Sequence, residues 1–358
     1  MSGNATRKLI SGFMQKAPVS DALTSLCQTP AENYYNGEFL EQDYWGDKED
    51  IAPVVTDLQN GNNKFSIEEF ANKEFKAPVM LDEFSIDTFK LIKRQYDQTP
   101  FENPQYMANL AKLWQTHMVI GAERQRRTVE LMVAQMLQTG KIILKDSKGE
   151  PAYEIDFQQK ATHLPTFAVA WTDSANATPF KDLENMGDVI VTDGKRQPRR
   201  VIMSQASYYN LIRTEEYLNL ADNRRVFIVN NTSAPVIEGM MYKGTLDLTA
   251  YTLDLYVYTG EYVDIDGTTE RYITSGSVIM MPESVRLDLT FGGIPLVVAP
   301  DPRVGFLSTR ARVQSMQLDI TTNAWVSEDG RFVKGFVGSR PLPILTAKNQ
   351  IMCGQSGS

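Results

Sequence analysis

The chain has little of the chemistry that enzymes use. Two histidines, His117 and His163, and two cysteines, Cys27 and Cys353, are the whole supply in 358 residues. None of the four lies at the short spacing typical of a zinc site. The sequence also lacks G-x-S-x-G, H-E-x-x-H and phosphate-loop motifs. It therefore predicts no catalytic residue, no bound metal and no cofactor.

Long hydrophobic runs and a basic excess are also lacking. No apolar run approaches the roughly 20 residues that span a bilayer, and the first twenty residues contain no continuous apolar segment, so we expect neither a membrane helix nor a signal peptide. Lys and Arg number 36 against 44 Asp and Glu, a net charge of -8. Without a basic stripe, strong binding to a phosphate backbone is not expected. Two widely separated cysteines favour a reducing compartment.

The few candidates for chemistry have plainer interpretations. His117 falls on the apolar side of a predicted helix, which favours a packed core histidine. His163 precedes a Leu-Pro pair in "KATHLPTF", which favours a position in a turn or at the surface. A group of acids lies close together in sequence, but strand alternation sends several of them to solvent, so a metal site is not favoured there. These acids are Asp254, Glu261, Asp264 and Asp266.

Residues 1–56 are aromatic and acidic near their end, in "ENYYNGEFLEQDYWGDKED". So many aromatic side chains would form a costly exposed patch unless something covered them. We interpret residues 1–56 as an arm that lies over a neighbouring subunit, with a solvated loop as the alternative. The aromatic residues are Tyr34, Tyr35, Phe39, Tyr44 and Trp45.

Residues 57–100 alternate apolar and charged side chains, as in "KFSIEEFANKEFKAPVMLDEFSIDTFKLI". This spacing predicts long, half-exposed antiparallel strands. Few aliphatic residues are present, and an isolated two-stranded ribbon is marginal in water. We therefore expect an extended ribbon that packs on an adjacent subunit through Phe65, Phe70 and Phe75.

A long helix follows, with Pro104 at its start. Apolar residues recur at three-and-four spacing up to Gly140, which predicts about 35 residues and a length of roughly 50 Å. A hairpin that turns at residues 146–150 comes next. The charged side of the helix contains Glu123, Arg126, Arg127 and Glu130. It is either a solvated, self-paired face or, for Arg126 and Arg127, a salt-bridge surface for another subunit; contact with DNA is the least favoured interpretation.

The second half of the sequence predicts an α/β segment followed by strands that return to the helix-and-hairpin domain. A buried strand at residues 201–203 precedes a helix, and residues 251–282 alternate like a hairpin that turns at Asp266 and Gly267. Strand-like runs close the chain. We divide the sequence into an arm (1–56), a ribbon (57–100), a helix-and-hairpin domain (101–184), an α/β domain (185–300) and return strands (301–358).

This order resembles the major capsid proteins of tailed bacteriophages, in particular the lambda-like capsid protein E family. Four stretches carry the resemblance, which covers roughly residues 57–350: "RRTVELMVAQMLQTGKIIL…YEIDF", "AWTDSANATPFKDL", "GMMYKGTLDLTAYTLDLYVYTGEYVDIDG" and "GSRPLPIL". The resemblance implies an α+β fold of the HK97-like capsid type. That fold has an N-terminal arm, an extended β-ribbon (E-loop), a peripheral domain with a long spine helix and β-hairpin, and an axial α/β domain.

The resemblance also implies a function. Copies of such a chain assemble as pentamers and hexamers into the icosahedral head shell of a virion, which encloses double-stranded DNA without sequence-specific binding. Assembly is expected in the host cytoplasm, away from membranes, with a separate scaffolding protein, a portal and a decoration protein. The expected inter-subunit contacts are Tyr34, Tyr35, Phe39, Trp45, Phe65, Phe70, Phe75, Arg126 and Arg127. The alternatives are an encapsulin-type nanocompartment shell, a connector or tail-tube subunit, and an enzyme of another fold.

Some relatives of this kind join a Lys to an Asn of a neighbouring subunit. Residues of both types are present, namely Lys64, Lys73, Lys76 and Asn349. The lambda-like branch instead resembles shells clamped by a decoration protein. We therefore expect reinforcement without covalent crosslinks.

Overall fold

The fold is that of a computed structural model. It describes residues 22–29, 34–35, 39–44, 71–87, 106–222, 226–227, 240–294, 303–304, 307, 309–313 and 318–357.

The described residues form four α-helices and nineteen strands. The helices are α1 (Tyr106–Thr139), α2 (Pro179–Gly194), α3 (Gln205–Arg213) and α4 (Glu215–Asp222). The strands are β1 (Tyr34–Tyr35), β2 (Phe39–Tyr44), β3 (Ala71–Lys76), β4 (Met80–Asp87), β5 (Lys141–Lys145), β6 (Pro151–Asp156), β7 (Arg200–Met203), β8 (Val226–Phe227), β9 (Met241–Asp247), β10 (Thr252–Val257), β11 (Glu261–Val263), β12 (Thr269–Arg271), β13 (Ser277–Met281), β14 (Asp288–Gly292), β15 (Thr309–Val313), β16 (Leu318–Val326), β17 (Phe332–Ser339), β18 (Pro341–Ile344) and β19 (Met352–Gln355).

The predicted long helix is confirmed as α1, which has 34 residues. Its apolar stripe, which includes Trp114, Met132 and Leu137, is buried against the surrounding sheets. The helix ends at Gly140, whose φ of +66° is a conformation that glycine adopts without steric cost. The predicted hairpin then follows as β5 and β6, paired antiparallel with the turn where the sequence places it.

Two sheets lie with α1 in the peripheral domain. One has the order β15-β16-β17-β4 with every neighbouring pair antiparallel, and the other has the order β1-β14-β18. The Trp114 ring packs directly on Gly335 of β17, where any side chain would collide with it. Gly121 of α1 meets Val337 of the same strand. Small residues at these two positions therefore let the helix approach the sheet closely.

The axial domain has its own core. Its six-stranded sheet has the order β19-β13-β7-β10-β9-β8, in which β7 and β10 are parallel and the other pairs are antiparallel. The predicted buried strand is β7, and Ser204 caps α3 by accepting a hydrogen bond of 3.1 Å from the Ser207 N–H. The predicted hairpin turn at Asp266 and Gly267 is confirmed between β11 and β12.

The ribbon prediction is wrong about which strands pair. Residues 71–76 pair with β2 of the N-terminal arm, and residues 80–87 pair over eight positions with β17 near the other end of the chain. The alternating exposure of β4 is as expected. Alternation reveals that a strand has two different faces but not which strand lies beside it. The Phe84 ring packs against Trp114 of α1.

His163 is fully buried, so the expected surface position is wrong, although it does lie in a 3₁₀ turn. Its Nδ1 is 2.9 Å from the Ile351 carbonyl oxygen and its Nε2 is 3.0 Å from Asp193 Oδ2. These bonds join the turn, the end of α2 and the segment before β19. His117 packs as expected, with its ring stacked on Phe84 at 4.9 Å.

Candidate assembly surface

The N-terminal segment (residues 22–29) is fixed to the spine helix α1 by one buried carboxylate. Glu130 Oε1 accepts hydrogen bonds of 2.8 Å from the Leu23 N–H and from the Tyr258 hydroxyl. Its Oε2 accepts bonds of 2.8 Å and 2.6 Å from the N–H and hydroxyl of Thr24. Glu130 therefore joins the arm, the helix and the residue after β10. This burial was not predicted, because the helical pattern places Glu130 on a solvated face.

Burial dominates the electrostatics of this junction. It raises the pKa of the Glu130 carboxyl above its ordinary value, against the opposing effect of the four donors. Cys27 lies nearby, and burial together with the charges of Glu130 and Asp288 raises the pKa of its thiol far above the usual range. Burial also raises the pKa of the Cys353 thiol to about 12. Both cysteines therefore stay as inert thiols.

The predicted contact residues Tyr34 and Tyr35 are already half covered by their own chain. They form β1, which runs parallel to β14, and the Tyr34 ring stacks on Phe291 at 5.3 Å. Upstream, the Gln28 N–H donates a 2.7 Å bond to the Leu287 carbonyl. β14 therefore covers these tyrosines in part within the subunit, and their contact with a neighbouring subunit stays a prediction.

Phe75 and Phe39 behave differently although they belong to one strand pair. Phe75 is buried within its own subunit and its ring lies 5.4 Å from that of Phe157, and its contact with a neighbour stays a prediction. Phe39 is 51% exposed, with the Lys76 ammonium 5.9 Å from its ring centre. Of the two, Phe39 remains open to a neighbour.

The two predicted arginines also differ in exposure. Arg126 is only 4% exposed, so its expected place on an open face is wrong. Arg127 remains exposed, and it pairs at 3.3 Å with Glu123 one turn earlier, as the self-paired interpretation expects. Arg124, which the sequence did not single out, pairs at 2.9 Å with Asp82 of β4.

Three other predicted contacts, Trp45, Phe65 and Phe70, lie outside the described residues, and their role stays a prediction. The connection between β2 and β3, residues 45–70, contains all three. Tyr44 lies directly opposite Ala71 in the strand pair, so the two residues that flank this connection are neighbours.

The structure shows an open strand edge and exposed apolar side chains, most of which the sequence analysis missed. β4 is the last strand of its sheet, and within the described residues no strand pairs with its outer edge. An open strand edge is a template for pairing with another chain. Exposed apolar side chains lie on β2, β4, the segment between β3 and β4, and α1: Phe39 51%, Val79 49%, Leu81 55% and Ile120 52%. The sequence contained one sign of this surface. In the alternation of β4, the apolar Leu81 takes the solvent-facing position and the charged Asp82 takes the inward one.

A second exposed region lies where two hairpins meet. Lys145 of β5 contacts Asp264, just after β11, at 2.5 Å, which ties the peripheral hairpin to the axial domain. Asp254 pairs with Arg199 at 2.8 Å, and Glu261 pairs with Arg271 at 3.2 Å. Three of the four acids considered above are thus paired with cations. The described residues contain no group of His, Cys, Asp and Glu side chains arranged to hold a metal ion.

A long spine helix, a flanking hairpin, an N-terminal segment docked on the helix and a separate α/β domain together define the HK97-like capsid fold. In the described part of the chain, the candidate site combines the open edge of β4 with exposed apolar side chains. Residues 6–356 match the family model described as phage major capsid protein E. The chain belongs to that family, and it is a shell-forming major capsid protein whose role is structural.

Two solved structures show the same fold along almost the whole chain. A protein described as a capsid protein of a prophage of Escherichia coli CFT073 has 18% identity and a TM-score of 0.61, covering 98% of this chain and 99% of its own. A phage-related protein of Bordetella bronchiseptica RB50 has 10% identity and a TM-score of 0.50, covering 98% and 96%. A comparison with curated proteins found no significant match. None of the helices in the described part of the chain has the length and hydrophobicity to cross a membrane.

Proposed function

We propose that the shell built by this chain is an icosahedral head assembled from pentamers and hexamers, and that it encloses double-stranded DNA. The whole-chain family match is the observation that carries this proposal. Rings of this kind need contacts between different surfaces of neighbouring copies. The open edge of β4 and the exposed side chains of Phe39, Leu81 and Ile120 supply surfaces of the required type.

The connection between β2 and β3, together with these strands, is proposed as the ribbon that reaches a neighbour. Its ends are held in the subunit by the buried Phe75 and by six register pairs. The connection itself carries the aromatic residues Trp45, Phe65 and Phe70. A neighbour that covered them would remove a large apolar area from water at about 25 cal/mol per Å².

The partners are proposed from the same function. A separate scaffolding protein would guide assembly, a portal would occupy one vertex, and a decoration protein would clamp the outside. The net charge of -8 supports enclosure of DNA without a general basic wall, because few phosphate counterions would be released. Assembly would take place in the host cytoplasm, and the finished protein would reside in the virion head.

Replacing the connection tests the proposal without disturbing the fold. Because Tyr44 and Ala71 face each other, residues 45–70 can be exchanged for an Asn-Gly turn that keeps β2 and β3 paired. We expect folded subunits that no longer form shells in negative-stain microscopy. A variant with a Gly-Ser linker of 26 residues, the number from 45 to 70, is the matched control for chain length, and it should fail in the same way. Closed shells of normal size from either variant would contradict the proposed role.

A further inference from the structure

A polar cavity of about 370 Å³ opens in the axial domain. Three segments meet around it: the turn between α2 and β7, the turn between β9 and β10, and the residues after β13. Its volume lies near the lower end of the range for small-ligand sites. The cavity and its chemistry play no part in the proposed assembly contacts.

The first wall carries an unusual density of positive charge. The sequence "GKRQPRR" places Lys195, Arg196, Arg199 and Arg200 within six positions. Arg196 and Arg199 line the cavity. No residue in the described part of the chain forms an ion pair with Arg196, whereas the Arg199 Nε is held by Asp254 Oδ2 at 2.8 Å. One guanidinium is therefore fixed in place and the other is open.

The walls are held in position before any ligand arrives. Asp254 also accepts a 2.8 Å bond from the Thr245 hydroxyl, so the partner of Arg199 is itself fixed. The Tyr251 ring packs on Gly187 of α2, and its hydroxyl donates a 2.6 Å bond to Asp188. Pro198 lies between the two arginines and restricts the backbone of the turn. A site arranged in advance loses less entropy on binding.

We propose that this cavity binds a phosphate group, either a free phosphate or the phosphodiester backbone of nucleic acid. The guanidinium fork of arginine matches phosphate oxygens in pairs, and charge-assisted bonds of this kind are the strong ones. Glu283 also lines the cavity, and its negative charge lowers the affinity for an anion. The alternative, that the cations only complement the C-terminal end of α2, predicts no binding.

Binding of inorganic pyrophosphate to the full-length protein tests the proposal by calorimetry. We expect Arg196→Gln to weaken the affinity by about tenfold or more, the loss of one charge-assisted bond. Glu283→Gln should strengthen it several-fold, because an opposing charge is removed at the same site. The matched control is Arg331→Gln, which changes an exposed arginine in the turn between β16 and β17. This control should leave the affinity unchanged.

A competition experiment with a short DNA duplex distinguishes the two possible sources of phosphate. Competition between the duplex and pyrophosphate would assign the site to the nucleic-acid backbone, and binding of pyrophosphate alone would assign it to a free phosphate. No binding of either probe would overturn the proposal. So would an affinity that Arg196→Gln and Glu283→Gln leave unchanged. All variants should still form shells in microscopy, so this outcome is independent of the assembly function.

Discussion

Glu130 is the residue at which three parts of the chain meet, and its carboxylate is largely removed from water. Because burial raises its folded-state pKa, the folded chain binds the proton more tightly than the unfolded chain does. The resulting stability is fully present below the unfolded pKa. It is lost as the pH rises through the folded pKa.

Replacing Glu130 by Gln removes this titration. We expect the unfolding free energy of Glu130→Gln to lack the decline that the wild type shows as the pH rises through the raised pKa. The variant should also be less stable below that decline by about 1–3 kcal/mol, because the amide group meets N–H donors. Urea denaturation of the soluble subunit between pH 4 and 8 measures both effects. Glu123→Gln on the exposed face is the control, and a wild-type pH profile for Glu130→Gln would refute the argument.

Substitution by Glu should affect subunit stability differently at the two neighbouring arginines of α1. Arg126→Glu places a carboxylate where the side chain is 4% exposed, and it should cost about 3 kcal/mol or more of subunit stability. Arg127→Glu only exchanges an exposed pair for a like-charge pair with Glu123, worth about 0.5 kcal/mol at most. Thermal unfolding of the two soluble variants makes the comparison. A similar loss of stability in both variants would contradict the burial of Arg126.

At the scale of elements, the sequence predicts what its local periodicity determines. The 34-residue helix, its glycine end and the two hairpins follow from three-and-four spacing, from alternation and from turn residues. Strand partners far apart in the chain do not. β4 pairs with β17 across some 250 residues of sequence, and no local pattern specifies that match. Burial of Glu130 was missed for a related reason, since Leu23 and Thr24 bind a face of α1 that its own periodicity assigns to solvent.

The N-terminal segment is predicted to remain on the subunit in the finished shell. Three of the four donors to Glu130 come from residues 23 and 24, and the fourth is the Tyr258 hydroxyl. Cleavage downstream of them would leave a buried carboxylate short of partners. Intact-mass spectrometry of purified particles should therefore find subunits that retain residues 22–29. A subunit that begins near residue 60 would contradict this prediction and the expectation of a separate scaffold.

At the scale of the whole molecule, the subunit combines buried cores with an exposed apolar surface. Two buried clusters, one around α1 and one in the axial sheet, give the chain a core of its own. The exposed residues Phe39, Leu81 and Ile120 and the edge of β4 lie outside those cores. A protein of this kind gains its remaining stability from association. Each small contact is then repeated in every copy of the shell.

That division predicts a shell held together without covalent bonds between subunits. Lys76 has its ammonium near the Phe39 ring of its own strand pair, and Asn349 lies in a 3₁₀ turn beside the end of α2. Apolar contacts and the proposed decoration protein would supply the reinforcement instead, since burial contributes about 25 cal/mol per Å². Boiling mature particles in detergent should release one band at the subunit mass of 40.3 kDa. A ladder of higher masses that Lys76→Arg or Asn349→Asp abolishes would show that a Lys–Asn bond forms after all.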